Sequence, residues 1–122
     1  LLDVLQLPKQ ARVNAIQIGK ALFVSLPGEF TTVLGRRLEK AYKNAFFADQ
    51  NQNNNEVVLI GLANEYVSYF VTSEEHEQQD YEGASMIYGP KSTNHLEQET
   101  SDLLHKMKSG PLAPRGGLDL FV

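Results

Sequence analysis

The chain reads as an α/β protein: a mixed sheet with a strand-helix-strand parallel unit and a carboxyl-terminal helix. Three observations predict it. "ALFVSLP" and "EVVLIGL" are short, continuous apolar runs of the kind that form buried strands. Between them, "FTTVLGRRLEKAYKNAFF" repeats apolar residues at three- and four-residue spacing, the period of a helix face. The same period returns near the end at Leu96, Thr100, Leu103, Leu104 and Met107. Strand, helix and strand in this order favour a parallel pair joined by a right-handed crossover.

Composition limits the function classes. At 122 residues the chain is one domain or part of one, and it is long enough to bury roughly two-thirds of its unfolded surface. A net charge of −4 without a basic face argues against a nucleic-acid binder. No stretch approaches the ~18 apolar residues of a transmembrane segment, and no basic-then-apolar leader stands in these residues. The absence of cysteine excludes disulfides and thiolate metal sites within the chain. The chain opens on Leu1-Leu2 and closes after the Pro/Gly-rich "SGPLAPRGG", so a piece of a longer polypeptide is expected.

The elements follow in order. Val13 to Pro27 is extended, with a tight turn at Gly19-Lys20 and a stop at Pro27-Gly28. The first helix starts from a Thr31 or Thr32 cap and presents Leu34, Leu38, Ala41, Tyr42, Ala45 and Phe46 on one face. Gly35 inside it costs about 1 kcal/mol relative to Ala and points to close packing. "ADQNQNNNE" is a polar connector. After the second buried strand, "YVSYFVT" adds a short strand. Ser73 caps a brief helix through "EEHEQQD", and "YEGASMIYGP" is irregular with a turn at Gly89-Pro90. The last helix runs from Ser92 or Thr93 to about Lys108.

A parallel pair puts both carboxyl ends on one sheet edge, where α/β proteins commonly hold their sites. Glu29 follows the first strand, and Asn64 to Tyr69 follow the second. Read from residues alone, Glu29 is a carboxylate stabilised at a helix start, and Tyr66 and Tyr69 are strand aromatics. His76, His95 and His105 read as surface residues, the last two on different faces of one helix. No P-loop, dinucleotide fingerprint, HExxH or GxSxG is present.

Two blocks carry a more specific signal. "PGEFTTVLGRRL", Pro27 to Leu38, resembles the PGEFTT…GRRL segment of the neutral/alkaline, non-lysosomal ceramidases. "NEYVSYFVTSEEHEQQDYEGASMIYGP", Asn64 to Pro90, resembles that family's next block, N-x-Y-x-x-Y-x-T-T-x-E-E-Y-x-x-Q-x-Y-E-x-A-S-x-x-Y-G-P. Order and spacing agree, and the two blocks make up about a third of the chain. Val71, His76 and Lys91-Ser92 depart from the pattern.

The resemblance implies a zinc-dependent amidase that cleaves the N-acyl bond of ceramide to sphingosine and fatty acid. It implies Glu29 and Tyr69 as two of four zinc ligands, and Tyr81 as a catalytic residue facing the reacting carbonyl. Two histidine ligands, a serine and an arginine would come from an upstream part of the catalytic domain. Residues 1–122 are then the carboxyl-terminal part of that domain, inactive alone, with zinc weak or absent in this chain. The upstream part is the expected partner and a ceramide-like lipid the expected substrate, with a secreted or cell-surface location suggested by the resemblance. The alternatives are a hydrolase of another N-acyl or lipid substrate, and a non-catalytic interaction module that retains the motifs.

Overall fold

A computed structural model of the chain describes residues 8–50, 52–110 and 118–119. Two short strands, β1 (Gln10–Ala11) and β2 (Asn14–Ile18), lead through a turn at Gly19 into β3 (Ala21–Ser25). Gly19 has φ 59°, a left-handed conformation that glycine adopts without a Cβ penalty. After a bend at Pro27-Gly28, β4 (Glu29–Phe30) feeds α1 (Thr32–Phe47). β5 (Glu56–Ile60) and β6 (Tyr69–Phe70) form a second extended pass. Three helices follow: α2 (Ser73–Gln78), α3 (Tyr81–Ala84) and α4 (Lys91–Lys108). β7 (Leu118–Asp119) pairs antiparallel with β1.

The main sheet has the order β2-β3-β5. β2 is antiparallel to β3, and β3 is parallel to β5 from Ala21↔Glu56 to Ser25↔Ile60. This is the expected parallel unit, with α1 as its crossover. Leu22 and Val24 of β3 and Val57 of β5 share a core with Leu34, Leu38, Tyr42 and Phe46 of α1 and Leu96 and Leu104 of α4. Apolar burial therefore fixes the helix layer on one face of the sheet. Among the described residues no helix is long and apolar enough to cross a membrane.

Several local expectations change. α4 starts at Lys91, with Pro90 at its cap, rather than at Ser92 or Thr93. The two hydroxyls are engaged elsewhere: Ser92 Oγ donates to the Gly89 carbonyl and Thr93 Oγ1 to the Val71 carbonyl. Thr72, not Ser73, caps α2, because only Thr72 has a glutamate three residues on to complete a capping box. "YEGA" is a helical turn rather than irregular chain. Gly83 permits it by lying where a Cβ would come within 2.7 Å of the Glu75 carbonyl. The strand expected in "YVSYFVT" shrinks to Tyr69–Phe70, bounded by left-handed Ser68 (φ 71°) and the Thr72 cap.

As expected, the first strand stops before Pro27-Gly28: β3 ends at Ser25 and the chain bends at Pro27 and Gly28 before β4. Leu26 N–H donates to the Ile60 carbonyl, and Glu29 N–H donates to the Ser68 carbonyl. Backbone bonds thus continue past the bend, and the chain exchanges β5, the parallel neighbour of β3, for β6, the parallel neighbour of β4.

Candidate functional site

The second parallel pair builds the site. β4 and β6 pair with Glu29 opposite Tyr69 and Phe30 opposite Phe70. Residues in register project to the same face, and successive residues alternate between faces. Phe70 therefore enters the core, 1% exposed, while Glu29 and Tyr69 together line a cleft of about 420 Å³. Phe30, Thr31, Thr32, Val33, Glu75 and Glu82 complete its wall, Phe30 reaching it although it is in register with Phe70. Glu29 does not cap the helix: it stands on β4, ahead of the Thr31 cap, whose Oγ1 accepts from Leu34 N–H.

The motif residues around Glu29 have separate physical tasks. A Cβ on Gly28 would meet the Ser68 carbonyl at 2.4 Å and the Phe70 ring at 2.9 Å, so only glycine lets β6 approach β4. The Phe30 ring lies 3.1 Å from the Cβ positions of both Gly35 and Gly61, and this close approach is the packing reason for Gly35 in α1. Thr31 Oγ1 donates to Glu75 Oε2 at 2.7 Å, and that oxygen also accepts from Thr72 N–H at 2.9 Å. One carboxylate therefore ties the start of α1 to the start of α2, just past Glu29 and Tyr69. Arg37 adds a two-pronged bond to Glu74, at 3.0 and 3.1 Å.

Tyr66 and Tyr81 lie beside the Glu29–Tyr69 pair, outside the cleft lining itself. Tyr66 Oη donates to Glu29 Oε1 at 2.9 Å. The Tyr69 and Tyr81 rings stand edge to face, 5.6 Å between centroids, and Tyr81 is 71% exposed. The Tyr69 phenol is held above its usual range, first by its hydrogen bond to Tyr81 and then by partial desolvation and the Glu29 charge. Tyr66 is raised as well, chiefly by its bond to Glu29.

Glu29 and Tyr69 thus offer two oxygen donors on one face of an acidic cleft. Both atom types suit a hard or borderline cation such as zinc, though two donors are half of the usual tetrahedral set. Among the described residues no group of three or more His, Asp or Glu side chains is arranged to hold a metal. His76 does not turn to the cleft; its Nδ1 lies 3.2 Å from the Gly83 carbonyl. His76 and His95 are half-buried rather than surface residues, and His105 is exposed.

Composition and periodicity gave no sign of Gly28, Glu75 or the Tyr66–Glu29 bond, since each depends on contacts remote in sequence. The capping pattern Thr72-x-x-Glu75 is the one local signal that points to Glu75.

Comparison with known proteins is consistent along nearly the whole chain. The family profile described as "Neutral/alkaline non-lysosomal ceramidase, N-terminal" matches residues 4–98. Neutral ceramidase 2 of Arabidopsis thaliana is 39% identical over 112 residues, covering 89% of this chain and 15% of that protein. The neutral ceramidase of Drosophila melanogaster is 42% identical over 83 residues, 68% of this chain and 12% of its own length. The crystal structure of neutral ceramidase from Pseudomonas aeruginosa superposes with a TM-score of 0.73 at 31% identity, over 88% of this chain and 17% of that one. A structure titled "Ceramidase complexed with C2" gives a TM-score of 0.75. The chain therefore spans about 15% of the length of such relatives.

Proposed function

This chain belongs to the neutral/alkaline non-lysosomal ceramidase family, and on that premise we propose that residues 1–122 form one wall of a zinc-dependent amidase site acting on the N-acyl bond of ceramide. They form the carboxyl-terminal part of the catalytic domain, and the upstream part of the same polypeptide supplies the remaining ligands. The observation that carries the reading is the pairing of Glu29 with Tyr69 on neighbouring parallel strands that face one cleft.

Glu29 and Tyr69 would hold the zinc. The chemistry that zinc supplies in such a site is polarisation of the acyl carbonyl and acidification of water toward neutral pH. Glu29 brings a carboxylate whose Oε1 is already oriented by Tyr66. In the metal-free chain the Tyr81 hydrogen bond, then partial desolvation and the Glu29 charge, raise the Tyr69 phenol above its usual range. Tyr81 is exposed beside Tyr69 and can donate to the oxyanion that develops on the substrate carbonyl.

The need for an upstream partner has its own support. Register puts Ile16, Phe23 and Val58 on one face of the main sheet, together with Ile18 and Ile60. Ile16, Ile18 and Ile60 are 59%, 66% and 44% exposed, an apolar surface of the kind that a further layer covers.

Fatty-acid release from ceramide tests the proposal. Residues 1–122 alone release none, with or without added zinc. The complete polypeptide releases it, and Glu29→Gln lowers turnover by more than about 100-fold, beyond the usual effect of an outer-shell change. Zinc-stimulated hydrolysis by residues 1–122 alone would overturn the half-site reading. Turnover of other N-acyl amides but not ceramide would replace the substrate.

A further inference from the structure

We propose that Tyr66 is a positioning residue of this site, held across strand β4 by a strained backbone so that its hydroxyl fixes the carboxylate of Glu29. The inference rests on the reading of Glu29 as a metal ligand.

The path of the chain is the first observation. Extended backbone bonds its neighbours alternately to left and right. On one edge of the first pass, Leu26 N–H donates to Ile60, and the Leu26 and Gly28 carbonyls accept from Ala63 and Leu62. On the other edge, the Pro27 carbonyl accepts from Val67, and Glu29 and Thr31 N–H donate to Ser68 and Phe70. Between Ala63 and Val67 the chain therefore crosses from one edge of the strand to the other.

So short a crossing bends sharply. Leu62, Asn64 and Ser68 have φ of 52°, 71° and 71°. Asparagine tolerates this region, but leucine and serine do not favour it, so both are held there against their own preference. The crossing is also tied down, since Asn64 Nδ2 donates to Ser25 Oγ at 3.2 Å. Residues kept in unfavourable conformations persist where surrounding structure over-determines them, often at functional sites.

The crossing delivers Tyr66. Its ring is 50% exposed, so it fills no core, and its hydroxyl lies 2.9 Å from Glu29 Oε1. A phenol donating to one carboxylate oxygen restrains the rotation of the group and leaves the second oxygen free for a ligand.

The test is Tyr66→Phe in the complete polypeptide, which deletes only the hydroxyl. Zinc affinity, read by competition with a chromogenic chelator, falls about 10- to 100-fold, the usual range for loss of an outer-shell partner. The melting temperature of the metal-free protein stays at the wild-type value. Glu29→Gln serves as the reference. If it weakens zinc binding and Tyr66→Phe does not, the positioning role is wrong and the ligand reading stands. If neither weakens it, Glu29 is no ligand and both fail. A fall in metal-free melting temperature that matches the loss of affinity would make Tyr66 a fold residue and overturn the inference.

Discussion

Two parallel strand pairs, built from the same two passes of chain, are held together in different ways. β3 and β5 share five register pairs and lie under α1, with Leu22, Val24, Leu34, Leu38 and Tyr42 fully or almost fully buried. β4 and β6 share two, and side chains brace them: Thr31 and Thr72 on Glu75, Arg37 on Glu74, Tyr66 on Glu29. Apolar burial is non-directional, so it gives the first pair its stability but little angular precision. Hydrogen bonds are directional and modest in net energy, so they give the second pair geometry at small gain in stability. The regular pair is therefore the platform and the braced pair is the instrument.

The strongest challenge to that division is a cavity in the platform. Leu38 is 0% exposed at the centre of α1. Leu38→Ala should destabilise the chain by about 2–5 kcal/mol, the usual range for a buried leucine. The urea midpoint should fall with an unchanged slope, as expected for one cooperative unit. A loss under about 1 kcal/mol would mean that the stability resides elsewhere.

Gly28→Ala asks whether the second pair can be loosened by itself. The added methyl meets backbone, at 2.4 Å from the Ser68 carbonyl, so no rotamer change relieves it. The expected cost is about 1–3 kcal/mol, as for other overpacked sites. Its location is the sharper readout. The amides of Glu29 and Thr31, bonded to Ser68 and Phe70, should lose protection from hydrogen exchange, while those paired between β3 and β5 keep theirs. Uniform loss across both pairs would make them one unit and end the distinction.

The same division separates what could be read in the sequence from what could not. β3, α1, β5 and α4 follow from apolar runs and helical spacing, because burial imposes those periods on the chain. Their ends are less legible: Ser92 and Thr93 look like caps, but they bond Gly89 and Val71 instead. Around the site, Gly28 reads correctly as part of a strand stop, but its close approach to Ser68 and the crossing between Ala63 and Val67 have no periodic signature. The strand order alone places Glu29 and Tyr69 on one sheet edge, whereas their roles, and Tyr81 altogether, come from family resemblance. Strand pairing brings the first two together, and Tyr81 lies edge-on to Tyr69. A site assembled from tertiary contacts leaves its trace in residue identity at fixed positions, and no local rule recovers it.

The smallest expected effect concerns the tie between α1 and α2. Arg37 and Glu74 meet through two bonds, yet their side chains are 52% and 64% exposed, where solvent screens ion pairs. Arg37 nevertheless holds the Glu74 carboxyl down to about 2, first by hydrogen bonding, with help from Glu74's own backbone N–H. The ordinary value is 4.5, so the folded carboxyl binds its proton more weakly than the unfolded one. The pair's contribution is then complete above pH 4.5 and is lost as pH falls through about 2. A double-mutant cycle of Arg37→Met and Glu74→Gln, read by urea midpoints, should give a small coupling at neutral pH. That coupling should be flat on the alkaline side, shrink through the acid window and weaken with salt. A coupling that grew on acidification would reverse the sign of the linkage. One that ignored salt would show the pair to be shielded from solvent, and α2 would then belong to the platform rather than to the instrument.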